Sequence, residues 1–191
     1  MTCSEVDLPR GDCSDCRGRK LFFSAARTIG PYRDTLRQAV LKAKHEMHEA
    51  LATALGMRLA EAVQRAPLAV PPNLVVPVPM HWLKRWWRKT NPAETIALSL
   101  AKQLGLPVAC QALVCRRILR RQATLTPAQR RENVRGAFRA GRWSSLTGKY
   151  VLLVDDVMTT GATAHEASRA LLDAGASAVY VATLARSSAD F

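Results

Sequence analysis

Two adjacent carboxylates, Asp155 and Asp156, end the apolar run Tyr150 to Val154, and Val157-Met158-Thr159-Thr160-Gly161-Ala162-Thr163 follows at once. Like charges side by side repel, so this placement asks for a chemical reason. The run YVLLVDD (150–156) reads as a strand, ATAHEASRALLDAG (162–175) as a helix ending at Gly175, and AVYVATLAR (178–186) as a second strand. Strand, helix and strand in that order make a parallel βαβ unit. Ligands of such sheets sit beyond the carboxyl ends of the strands, where Asp155 and Asp156 fall. The loop 158–163 opens the helix, and backbone N–H groups at a helix N-terminus attract anions. Small residues let that backbone come close, Gly161 permits the tight turn, and the threonine hydroxyls add donors.

The constellation is therefore a phosphate cradle beside two carboxylates. Carboxylates repel phosphate, so they must touch another part of the same ligand. A ribose diol fits, because two hydroxyls can donate to two acceptors. An aspartate pair that merely caps a turn and the next helix would account for one carboxylate and leave the loop unexplained. A Walker loop is excluded because G-x-x-x-x-G-K-[ST] is absent, and a dinucleotide fingerprint because no G-x-G-x-x-G follows a strand.

The remaining elements must position this unit. Residues 1 to about 26 read as irregular, with Pro9, Gly11 and Gly18. Residues 32–65 carry apolar side chains every three or four positions and read as helix, weakened at Gly56, where it could divide into two. Pro67, Pro71 and Pro72 mark a connector. LVVPVP (74–79) reads as a buried strand that stops where Pro77 and Pro79 remove ladder donors. Asn91-Pro92-Ala93-Glu94 reads as a helix start, with Asn91 as N-cap and Glu94 completing a capping box, and the helix runs to Gly105. A strand is expected within 106–114. Segment 115–142 is Arg-rich, holds a further helix start at Thr126-Pro127-Ala128-Gln129, and reads as a mobile excursion from the sheet.

The chain of 191 residues carries a formal net charge of +13. Segment 81–89 (HWLKRWWRK) has four basic residues and no acid, and segment 116–142 has nine arginines against Glu132 alone. Almost the whole excess sits in these two segments, which suits polyanionic partners: nucleic acid, or a small molecule with several phosphates. A plain solvated basic surface is the alternative. Trp82, Trp86 and Trp87 cluster with the first segment and could pack or stack on bases. No stretch approaches the roughly 18 apolar residues of a membrane span, and the N-terminus lacks the pattern of a signal peptide. The chain is read as cytoplasmic, with no membrane insertion and no disulfide framework from its five cysteines. His45 and His48 fall one residue short of the H-E-x-x-H zinc pattern and read as surface, and His81 and His165 read as polar neighbours of the site.

Residues 151–163 resemble the thirteen-residue phosphoribosyl-pyrophosphate (PRPP) signature of type I phosphoribosyltransferases, matching at every signature position from Asp155 to Thr163. V-P-V-P (76–79), R-x-x-N from Arg130 to Asn133 continuing as N-V-R-G-A-F (133–138), the terminal L-A-R (184–186) and an N-terminal C-x-x-C resemble the ComF family, whose members are linked to DNA uptake. The resemblance covers nearly the whole chain. It implies an α/β fold of the type I phosphoribosyltransferase class: a central, mostly parallel sheet flanked by helices, with a flexible hood and a short N-terminal cysteine-containing segment. It divides the chain into a remnant zinc-ribbon-like segment, 1–26, and a phosphoribosyltransferase domain, 27–191.

By that resemblance Asp155 and Asp156 hold the ribose hydroxyls and are the catalytic pair, while Val157, Met158, Thr159, Thr160, Gly161, Ala162 and Thr163 hold the 5′-phosphate. The turn after Pro79 is the pyrophosphate loop, with Met80, His81, Lys84, Arg85 and Arg88 as its residues. Segment 116–135 is the hood, with Arg117, Gln122, Arg130 and Asn133, and its closure would exclude water while a ribosyl cation forms. Mg²⁺ would accompany PRPP, and the acceptor would be a nitrogenous base or amine. Three departures stand out. The family's R-G-[FY]-N-Q-A is R-K-T-N-P-A (88–93) here, Leu119 stands where the family has threonine, and Cys3, Cys13 and Cys16 supply three of the four ligands that structural zinc takes. The expected function is phosphoribosyl transfer to a nitrogenous acceptor, linked to DNA uptake. The alternative is a PRPP-responsive or single-stranded-DNA-binding accessory protein, working with the competence machinery without turnover.

Overall fold

The computed structural model describes residues 2–3, 21–44, 48–81, 83, 91–120, 125–141 and 145–187. Five strands form one sheet in the order β1-β2-β7-β6-β3: β1 Thr2–Cys3, β2 Ala25–Pro31, β3 Leu74–Pro77, β6 Tyr150–Met158 and β7 Ala178–Arg186. Every pairing in it is parallel. Two shorter strands, β4 Leu113–Cys115 and β5 Phe138–Ala140, make a separate antiparallel ribbon. The helices are α1 Asp34–Ala43, α2 Glu49–Arg65, α3 Pro92–Leu104, α4 Pro127–Val134 and α5 Ala162–Asp173.

Side chains alternate across β6, which sorts the core into two layers. Leu152 and Val154 point into one, with Val75, Tyr180 and Ala182, and are covered by Val40, Leu59, Ile96 and Leu100 of α1, α2 and α3. Val151 and Leu153 point into the other, with Val76, Val179 and Val181, and are covered by Ala167 and Leu171 of α5, Leu113 and Phe138 of the ribbon, and Val134 of α4. Strands buried on both faces explain the near-continuous apolar run of β6.

The structure corrects three expectations. Residues 25–31, whose first two fell in the segment read as irregular, are a strand inside the sheet, and Leu21 and Phe23 are buried in the core. The expected boundary between 26 and 27 falls within β2. That strand hides its nature because Arg27 and Thr28 are buried. Arg27 donates from Nε to Ala66 O at 2.7 Å and from Nη2 to Pro67 O at 3.1 Å, and Thr28 Oγ1 donates to Leu184 O at 3.3 Å. Buried polar groups are tolerated once bonded in this way, but the partners lie far off in sequence.

The long helical stretch divides between Ala43 and Glu49, not at Gly56. Gly56 lies inside α2, where a Cβ would stand 2.7 Å from Ile96 O and 2.8 Å from Ser99 Cβ. The glycine lets α2 and α3 approach closely, and Ser99 Oγ donates to Thr53 O at 2.7 Å across that contact. Finally, Asn91 is the N-cap of α3 but its side chain makes no capping bond. Its Nδ2 instead donates to Val78 O at 3.3 Å, tying the start of α3 to the chain just beyond β3. The other expected capping box is present at α4: Thr126 Oγ1 accepts from Gln129 N, and Gln129 Oε1 accepts from Thr126 N at 2.9 Å.

Candidate functional site

The carboxyl ends of β2, β3, β6 and β7 face one cleft of about 570 Å³. Asp155, Asp156, Val157, Thr159 and Thr163 form its floor, and Val78, Pro79, Met80 and His81 beyond β3 form one wall. Arg120 and Arg130 stand on the hood side, and Lys44 reaches in from the end of α1. The topology assembles this cleft. β6 lies between β3 and β7, so the segment after β3 and the loop after β6 emerge side by side.

Asp155 and Asp156 are half-buried residues near the end of β6. Asp155 Oδ1 accepts from Asp156 N at 2.8 Å, and Asp156 Oδ1 accepts from Val157 N at 2.6 Å. Asp156 Oδ2 is 2.8 Å from Lys44 Nζ. Burial, and next the charge of Asp156, push the Asp155 carboxyl up to about 8. Burial acts to lower Lys44, but attraction to Asp156 and the hydrogen bond between them outweigh it, and its ammonium is held above the usual value. Asp155 thus holds a proton far more readily than an ordinary carboxyl, beside the Lys44–Asp156 ion pair. The like-charge repulsion that the sequence suggested is relieved, and the floor does not strongly repel an anionic ligand.

The loop after β6 leads into α5 through Gly161, which is left-handed at φ 71° and serves as N-cap without a side-chain capping bond. The first intrahelical bond runs from His165 N to Gly161 O at 2.8 Å, so the preceding amides of α5 begin the helix without such a cap. Met158 is buried beneath the loop, with its Sδ 3.9 Å from where a Cβ on Gly161 would stand. Asp155, Val157, Met158, Thr159, Gly161, Ala162 and Thr163 line a small recess with Thr183 beneath it. Thr183 Oγ1 is buried without a partner among the described residues. The arrangement offers oriented N–H donors and hydroxyls to a phosphate, beside two acceptors for a diol.

Over the other face, the β4–β5 ribbon and α4 form the hood. Arg117 does not line the cleft: its Nη2 donates to Arg135 O at 2.7 Å and Glu132 O at 3.3 Å, closing the carboxyl end of α4. Asn133 Oδ1 accepts from Arg120 N at 3.0 Å and its Nδ2 donates to Arg120 O at 3.2 Å, so it fixes the backbone that carries Arg120 into the cleft. Leu119 and Phe138 add an apolar patch there. Glu166 of α5 clamps the hood from below: its Oε2 accepts from Gly136 N at 2.7 Å and from Arg169 Nη2 at 2.7 Å.

Of the residues singled out in the sequence, the cleft brings together Asp155, Asp156, Val157, Thr159, Thr163, Met80, His81 and Arg130. Thr160, Gly161 and Ala162 belong to the loop and the start of α5. Lys84, Arg85, Arg88, Gln122, Cys13 and Cys16 lie outside the described residues, and of Cys3 only the backbone, in β1, is described. Sequence reasoning missed Lys44, Tyr32, Asn91 and Arg120 as cleft residues. Lys44 ends an ordinary amphipathic helix, so no local pattern marks it. Only the return of α1 toward the strand ends brings it to Asp156.

A family model described as a phosphoribosyl transferase domain matches residues 92–190. The DNA utilization protein YhgH of Salmonella typhi is 30% identical over 192 residues, covering 96% of this chain and 83% of that protein. The competence protein F of Haemophilus influenzae is 27% identical over 188 residues, covering 96% and 82%. Among solved structures, the glutamine PRPP amidotransferase from B. subtilis is 27% identical with a TM-score of 0.45, over 68% of this chain and 25% of that one. The family match over half the chain, and likeness to YhgH along nearly all of it, place the protein in the phosphoribosyl transferase domain family, as a ComF-type member.

Proposed function

We propose that the protein binds PRPP with Mg²⁺ and transfers its phosphoribosyl group to a nitrogenous base or amine. The observation that carries this reading is the juxtaposition at the end of β6: two carboxylates on the cleft floor, followed without a break by a loop that opens α5. The ribose 2′ and 3′ hydroxyls would donate to Asp155 and Asp156. The 5′-phosphate would lie against the amides and hydroxyls of Thr159 to Thr163, and the pyrophosphate would face Met80 and His81. In the transfer, the acceptor nitrogen uses its lone pair to bond ribose C1 as the C1–oxygen bond breaks. Pyrophosphate leaves with that electron pair, and the proton on nitrogen passes to solvent or a base. Positive charge develops on the ribose, Asp156 offsets it, and the same charge favours the ionised form of Asp155 beneath it.

The chemistry of the donor set suits Mg²⁺ carried by the ligand. No group of three or more His, Cys, Asp or Glu among the described residues could hold a metal, and both acidic side chains of the floor already engage backbone amides. Asp155 and Asp156 would meet the ion through water or the ribose hydroxyls, and it would stabilise negative charge on the departing pyrophosphate.

The test is PRPP titration in the presence of Mg²⁺, followed by a pyrophosphate-release assay with a panel of purine, pyrimidine and simple amine acceptors. Release with at least one acceptor is expected. PRPP binding without release from any of them favours a second reading, a PRPP-responsive accessory protein in DNA uptake. The names of the relatives, DNA utilization protein and competence protein, support a link to that process. The exposed arginines of the hood, Arg116, Arg117, Arg120, Arg131, Arg135 and Arg139, support a role in contacting single-stranded DNA.

A further inference from the structure

Lys44 is a cation that touches the candidate catalytic pair, and neither the signature loop nor the hood supplies it. Its Nζ is 2.8 Å from Asp156 Oδ2, and its side chain keeps 32% of its surface exposed to the cleft. The other oxygen of Asp156 is taken by Val157 N at 2.6 Å. A ribose hydroxyl docking on Oδ2 shares that oxygen with the ammonium, which holds one of its acceptor sites and draws on its charge. With 32% and 26% of the two side chains exposed, water reaches the pair, and the cost of giving up Asp156 is offset when a second anion takes up the ammonium.

Where the ammonium would go follows from the fold. α1, which ends just before Lys44, covers the same sheet face as α2 and α3. Met80, His81, Asn91 and Pro92 line the same cleft as Lys44, and α3, which starts at Pro92, covers the same face as α1, whereas Arg120 and Arg130 come from the hood over the opposite face. Tyr32 and Leu41 flank Lys44 in the cleft, and nothing there presents a second carboxylate among the described lining residues except Asp155. The burial-driven rise of Asp155 leaves it a poor replacement counterion at neutral pH. On the phosphoribosyl reading, the anion that arrives beside Met80 and His81 is the ligand's pyrophosphate.

Resting on the phosphoribosyl reading above, we infer that Lys44 is a ligand-exchanged cation: it pairs with Asp156 in the empty site and transfers to the pyrophosphate of the incoming donor. The exchange frees Asp156 Oδ2 for a ribose hydroxyl at the moment a new negative group takes up the lysine. It couples engagement of the diol to the presence of pyrophosphate. A product-like sugar phosphate lacks the group that draws Lys44 away, so the site discriminates against it. Lys44 belongs to a segment after β2, and so joins to the site a part of the chain that the signature does not include.

The experiment compares two ligands on the full chain by isothermal titration with Mg²⁺: PRPP, and ribose 5-phosphate, which has the diol and the phosphate but no pyrophosphate. Lys44→Met is expected to weaken PRPP binding about tenfold or more, the scale of one charge-assisted hydrogen bond. It should leave ribose 5-phosphate binding unchanged or tighter, because its competitor for Asp156 is gone. Lys44→Arg keeps the cation and should retain most of the PRPP affinity. Lys44→Gln, whose amide can still bond Asp156, carries the same comparison should the methionine variant fail to fold. Equal losses for both ligands would reduce Lys44 to a prop for Asp156 and overturn the exchange, as would no change in either. Those outcomes leave wild-type PRPP binding intact. A wild-type protein that binds neither ligand overturns the phosphoribosyl reading itself, and the exchange with it.

Discussion

At the scale of residues, two adjacent aspartates have to coexist. Asp155 is raised from an ordinary 3.8 to about 8, and Asp156 carries its charge against Lys44. A raised carboxyl means that folding takes up a proton between these two values. Stability therefore falls as pH rises through that window and levels off above it. Asparagine at 155 removes the linkage. Asp155→Asn should melt close to the wild type near about pH 4, gain an advantage that grows as pH approaches 8, and hold it beyond. Thermal melts across that range check the sign, and a variant that loses stability as pH rises would contradict it. A gain in stability here would come at the expense of the site, as expected where function stores electrostatic strain. Lys44 was not legible at this scale. Its meaning lies in a contact spanning more than a hundred residues, and nothing in A-K-H-E announces it.

Elements show a sharper divide between what sequence discloses and what it hides. The β6–loop–α5–β7 unit was readable because its strands are buried on both faces and its loop is contiguous. The α4 start was readable because a capping box is a local device, and Thr126→Ala should weaken the hood helix by about 1 kcal/mol. Hydrogen exchange in 125–135 would register that loss, and unchanged protection would count against the cap. β2 was hidden because its polar residues are satisfied by Ala66, Pro67 and Leu184, partners that only tertiary structure supplies. Gly56 misled for the same reason. In isolation a glycine weakens a helix, yet here it is the point where α3 comes closest. Gly56→Ala improves helix propensity but should destabilise the protein by about 1–3 kcal/mol through overpacking. Denaturant unfolding decides between the two, and a stabilised variant would contradict the packing seen between α2 and α3.

For the whole molecule, the cleft exists because strand order places the ends of β3 and β6 side by side and sends α1 and the hood in from opposite faces. The fold class was legible from one βαβ unit and a family resemblance. Met80, His81 and Arg130 of its walls were named through the resemblance, but Lys44 was not, because it comes from a segment more than a hundred residues from Asp156. The net charge of +13 acts at this scale as well. If the hood arginines track a nucleic-acid backbone, affinity for single-stranded DNA should fall steeply between about 50 and 200 mM salt, and a flat response would remove the second reading. The central claim, that Asp155 and Asp156 receive the ribose of PRPP, is tested most directly by titrating PRPP with Mg²⁺ into the wild type and into the double variant Asp155→Asn, Asp156→Asn. Measurable binding by the wild type is expected, with a loss of roughly thirtyfold or more in the variant, the scale of one charge-assisted and one ordinary hydrogen bond. Equal affinity in the two proteins would contradict it.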